Sequence, residues 1–101
     1  MSIILVAAAA LALSAADDGD LRCYWLASKA AEQQKNAEDR FVMWGMADWF
    51  GGRLAGGHPE LLVQSYILQH STTYDVAVTD ANLLACAQTF SEWQQRDIRG
   101  R

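Results

Sequence analysis

The chain has 101 residues, enough for one domain and no more. Twelve acidic against eight basic side chains give a net charge of −4. That balance excludes the basic stripe nucleic-acid binding needs and the positive face that docks on anionic lipid.

Met1 to Ala16 contains no charged side chain. Ile3 to Leu13 has the length and composition of a signal-peptide apolar region. It is shorter than the roughly 20 apolar residues a spanning helix needs. Ser14 and Ala16 place small residues three and one positions before a cut at Asp17. No Lys or Arg precedes the run, so its positive end is the amino terminus alone. The expectation is a cleaved leader over 1–16 and a single helical domain over 17–101. That domain would be periplasmic or secreted, with no stable membrane anchor after cleavage. An uncleaved anchor or a buried N-terminal helix is the competing reading.

An exported chain with two cysteines has one possible bridge, Cys23–Cys86. An oxidising compartment would keep it formed, and two unpaired buried thiols are the alternative. Closing a loop of this length restricts the unfolded chain by roughly 4 kcal/mol in the chain-entropy model.

Asp17 to Asp20 reads as a short acidic tail. A first helix is expected from about Leu21, capped by Asp18 or Asp20. Cys23, Leu26, Ala27 and Ala30 share one of its faces. Asn36 caps a second helix running from about Ala37 to Leu54, with Glu38 and Asp39 in the first turn. In it Phe41, Val42, Gly45, Trp49 and Gly52 form one stripe. Met43, Met46, Ala47, Phe50 and Leu54 fill much of the remainder. A helix apolar nearly all round predicts a central position. Gly45 predicts a close helix approach, and Gly56–Gly57 a stop.

Pro59 fits the first turn of a third helix reaching about His70, with Leu61, Leu62, Ser65 and Leu68 as its stripe. Ser71 to Asp75 reads as a turn and Val76 to Val78 as an extended connector. Thr79 or Asp80 caps a last helix whose Leu83, Cys86, Ala87, Phe90 and Trp93 face one way. The fold predicted is all-α, a small bundle of about four helices with one disulfide joining the first and last.

Motifs of chemistry are scarce. Gly51 to Gly57 is glycine-rich, but His58–Pro59 stands where a phosphate loop needs Lys and Ser/Thr. His58 and His70 lie near the two ends of one expected helix and do not share a face, so no metal spacing is present. Asp48 is expected in water or paired with Arg53 or Arg40. No serine lies in a nucleophile elbow. With both cysteines bridged, no nucleophile has a visible base. The reading is a non-enzyme with no cofactor.

Four tryptophans, three tyrosines and three phenylalanines are a heavy aromatic load, of the kind that dominates cores and interfaces. Trp44 and Trp49 point different ways around the helix, and one is a candidate for an interface. Phe41, Trp44, Trp49, Phe50 and Leu54 are the candidate partner-binding residues. The expected partners are protein clients or a second copy of the chain. The rival reading is a binding module for a small apolar ligand held between helices by the same aromatics.

Cys23-Tyr-Trp-Leu26, Trp44-Gly-Met-Ala-Asp-Trp-Phe-Gly-Gly52 and Val76-Ala-Val-Thr-Asp-Ala-Asn-Leu-Leu-Ala-Cys86 resemble the small periplasmic HdeA-type acid-stress chaperones. The likeness covers most of the chain beyond residue 16 in layout, with few identities. It implies a helical domain with one disulfide joining the first and last helical parts. It also implies a dimer that loosens in acid and exposes apolar surface to unfolding clients. The span between cysteines is longer than in that family. The proline that usually follows the second cysteine is absent, since Ala87-Gln-Thr-Phe90 comes next. Phe50-Gly-Gly-Arg-Leu54 and Ala85-Cys-Ala-Gln88 resemble more closely a set of small exported alphaproteobacterial proteins with no known activity.

Overall fold

A computed structural model describes residues 13–99. The apolar run read as a leader lies, up to Ala12, outside the described residues. The described chain forms five helices and no strand: α1 Ala15–Gln33, α2 Ala37–Gly57, α3 Val63–Gln69, α4 Ser71–Tyr74 and α5 Asp80–Arg99.

α1 starts six residues earlier than Leu21, and its cap is Ser14. The Ser14 hydroxyl accepts from the Asp17 N–H at 3.1 Å. The Asp17 carboxylate accepts from the Ser14 N–H at 2.9 Å. This reciprocal pair satisfies two amides that have no partner within the helix. The expected acidic tail is therefore the first turns of a helix, where carboxylates meet the positive end of the dipole.

Asn36 caps α2, accepting from the Glu38 and Asp39 N–H groups at 2.8 and 3.3 Å. Its inward stripe is Met46, Ala47, Phe50 and Leu54, all buried. The other stripe, Phe41, Val42, Gly45 and Gly52, faces out. α2 is therefore central over its second half only. The expected close approach falls at Gly51, where a Cβ would meet the Tyr24 ring at 3.1 and 3.2 Å. Nothing lies within 4 Å of a Cβ at Gly45. α2 ends at Gly57, but no glycine among the described residues adopts positive φ. His58 instead closes the helix, its N–H donating to the Leu54 carbonyl at 2.8 Å.

α1 and α2 make an antiparallel hairpin. Tyr24 against Gly51, Asp20 against Arg53 and Asp17 against His58 mark its register. Two apolar clusters grow on it. The first joins Leu26 and Ala27 to Met46, Ala47, Phe50 and Cys86, and α5 covers it through Leu83, Ala87 and Phe90. The second joins Leu21 and Leu54 to Leu61, Ile67 and Tyr74, so α3 and α4 cover it.

The third helix departs from expectation. Pro59 and Glu60 form a turn closed by the Leu61 N–H on the His58 carbonyl at 2.9 Å. Helix begins only at Val63, which shifts the face it buries. Ile67 is fully buried, while Leu62 and Leu68 are 73% and 66% exposed. The segment expected as a turn from Ser71 is the short α4, so five helices replace about four. Residues 75–79 form the expected connector. The Thr79 hydroxyl caps α5, accepting from the Asn82 N–H at 3.2 Å.

The Cys23–Cys86 disulfide joins α1 to α5, with Cα atoms 5.6 Å apart. No helix among the described residues is long and apolar enough to cross a membrane.

Candidate functional site

The five candidate partner residues divide by environment. Phe50 and Leu54 are each 1% exposed and belong to the core. They have no surface to offer a partner in the folded chain. Spacing placed them on the same helix as Phe41, but i, i+4 steps from Met46 carry them onto the hairpin side.

Trp49 is half-buried in an aromatic group. Its ring lies 5.1 Å from both Phe90 and Trp93, and 4.7 Å edge-on from Phe50. The Arg53 guanidinium sits 4.7 Å over it, a favourable cation–π placement. Trp49 thus fastens α5 to α2.

Phe41 and Trp44 remain, with Val42 between them. They are 79%, 39% and 57% exposed. The reason is local. The inward stripe of α2 begins at Met46, and before it only Met43 is partly buried against the first cluster. The first two turns therefore present apolar side chains to solvent. Asp48 is also exposed, without either expected partner. Arg53 pairs with Asp20 at 3.3 Å, and Arg40 donates to the Gln34 carbonyl at 3.1 Å.

Trp44 also lines a groove of about 260 Å³ with Tyr24, Trp25, Ser28 and Glu32 of α1 and Gln64 and Leu68 of α3. The groove is open to solvent and not an enclosed pocket. Trp25 and Tyr24 were not singled out by sequence, because their spacing reads equally well as core.

The acids at the start of α1 form a second constellation. Asp17 Oδ2 lies 2.9 Å from His58 Nε2. The Tyr74 hydroxyl donates to Asp18 at 2.8 Å, and Arg53 meets Asp20. Successive carboxylates thus bind the end of α2, α4 and the last turns of α2. The Ser14-x-x-Asp17 spacing was the signal for this helix start, and it is hidden by reading Ser14 as part of a cleavage site.

These contacts move the acids apart. Ser14 backbone donation, then the His58 contact, holds Asp17 below the usual carboxylate range. Burial pushes Asp20 up, partly offset by Arg53. Lys29 beside Asp75 holds that carboxyl low. Burial and the Asp18 bond push the Tyr74 hydroxyl up.

The two histidines sit in different surroundings. His58 contacts Asp17 and Glu60. His70 stacks on Tyr66 at 4.2 Å and reaches its carbonyl at 2.8 Å. Neither hydrogen-bonds a serine, and the Ser28 hydroxyl is committed to the Tyr24 carbonyl at 2.8 Å. Among the described residues no three His, Cys, Asp or Glu side chains gather to hold a metal. No protein family model, curated protein or solved structure matches the chain.

Proposed function

We propose that this chain is an exported, non-enzymatic domain that holds other polypeptides on the outer face of the first half of α2. The observation that carries the reading is Phe41, Val42 and Trp44 standing exposed together among the described residues. Clustered apolar exposure on a small domain marks an interaction surface, whereas scattered single residues do not. The disulfide supports an oxidising compartment.

An acid-stress role fits the same molecule. Asp17 with His58 and Asp75 with Lys29 are contacts that protonation of the carboxylate weakens. Loosening them would free more apolar surface while an unfolding client needs cover. The layout resemblance to HdeA-type chaperones points the same way.

The test uses the oxidised protein from Leu13 onward, which keeps the Ser14–Asp17 cap of α1. Its sedimentation and its ability to keep a denaturing client soluble are followed at pH 7 and at pH 2–3. The expected result is client protection at low pH with a change in sedimentation. An unchanged species with no protection at either pH would refute the reading.

A further inference from the structure

The groove between α1, α2 and α3 is lined by aromatic rings and carries a single charged side chain. Three aromatic side chains, Tyr24, Trp25 and Trp44, line it, and Glu32 is its one charged lining residue. Glu32 makes no ion pair among the described residues. Lys29 pairs with Asp75, Arg40 donates to the Gln34 carbonyl, and Lys35, past the end of α1, forms no ion pair with Glu32 among the described residues.

Physical chemistry narrows what fits. The negative faces of aromatic rings and an unneutralised carboxylate attract the same sign of charge. An anion would meet Glu32 unfavourably. A neutral apolar body would strip water from that carboxylate without compensation. The volume of about 260 Å³ falls below the roughly 300–1,000 Å³ of drug-sized pockets, so the ligand is small. Leu68, 66% exposed at the rim, offers apolar contact for a ring or a short chain.

We propose that this groove binds a small organic monocation with an apolar body, of the aryl- or alkylammonium class. Its ammonium sits by Glu32 and the aromatic rings. The site shares Trp44 with the polypeptide-docking face, but Phe41 and Val42 do not line it and Glu32 is not part of that face. Changes at Phe41 and Val42 and a change at Glu32 therefore test the two readings apart.

The test is a titration of the oxidised protein with benzyltrimethylammonium chloride at constant ionic strength, followed by the indole N–H signals of its tryptophans. Benzenesulfonate and benzyl alcohol are the anionic and neutral comparisons. The expected result is saturable movement of the Trp25 and Trp44 signals, with Trp49 and Trp93 still, and a Kd of about 1 mM or tighter. Glu32→Gln, an exposed and nearly isosteric change, should fold normally and bind about fivefold to tenfold more weakly. The proposal is overturned if the sulfonate or the alcohol moves Trp25 and Trp44 as strongly, or if Glu32→Gln binds like the parent. It is equally overturned if those signals ignore the ammonium but move with protein concentration, which would give the groove to a second copy.

Discussion

Gly51 lies where the Tyr24 ring crosses α2, and Gly45 lies in open solvent two turns earlier. Both carry the conformational cost of glycine inside a helix, about 1 kcal/mol against alanine. Only at Gly51 does a close approach offset it. Gly45→Ala should therefore stabilise the protein and raise its Tm by several degrees, about 4–8 °C per kcal/mol for a domain of this size. Gly51→Ala should gain less or lose, because the ring must shift by a few tenths of an ångström. Thermal melts of the two variants decide this. Equal gains would show that Tyr24 does not fix the spacing of the hairpin.

Among the elements, α5 depends most on a covalent link. Its inward residues are Leu83, Cys86, Ala87 and Phe90, with Trp93 leaning on Trp49 while 40% exposed. The bridge spans 63 positions of sequence, for which the chain-entropy model gives about 4 kcal/mol. A double Cys23→Ala/Cys86→Ala variant should lose stability on that scale. α5 should show the largest rise in amide hydrogen exchange. Uniform exchange across all helices would contradict this.

The long helices α2 and α5 were legible in the sequence because their caps and periodicity agree, whereas periodicity alone found α1, whose Ser14 cap and six-residue-earlier start were missed. Asn36 and Thr79 both act as read, and Leu83, Cys86, Ala87 and Phe90 face the core. The short ones were not. Pro59 is as compatible with a turn as with a helix start, and the burial of Leu61 outside any helix decided for the turn. On α2, periodicity marked Phe41 and Trp44, and both stand exposed. It could not tell which of two apolar stripes on α2 turns inward, since that depends on what α1 and α5 bring. Hence Phe50 and Leu54 are core.

For the whole molecule, pH acts through acids of opposite sign. Asp17 and Asp75 are held low in the fold, so their stabilisation is present above the unfolded carboxylate value, about 3.9. It is lost as pH falls through their folded values. Asp20 is held high by burial, so the native state takes up its proton before the unfolded chain does. Stability should therefore hold or rise slightly from neutral towards pH 4 and fall below it. Urea midpoints at pH 7, 5, 4, 3 and 2 give the profile. Asp20→Asn should remove any rise and keep the fall. A profile that declines steadily from neutral pH would contradict these assignments.

Client holding on the outer face of α2 is tested most directly by one comparison at pH 3. The parent protein and a Phe41→Ser/Val42→Ser variant are each mixed with a denaturing client, and turbidity is followed. Both substitutions lie at exposed positions, where stability effects are usually within about 0.5 kcal/mol per site. The variant should therefore keep its melting temperature. The account predicts a clear solution with the parent and a turbid one with the variant. Equal protection by both would place client binding elsewhere on the molecule, and no protection by either would remove the chaperone reading.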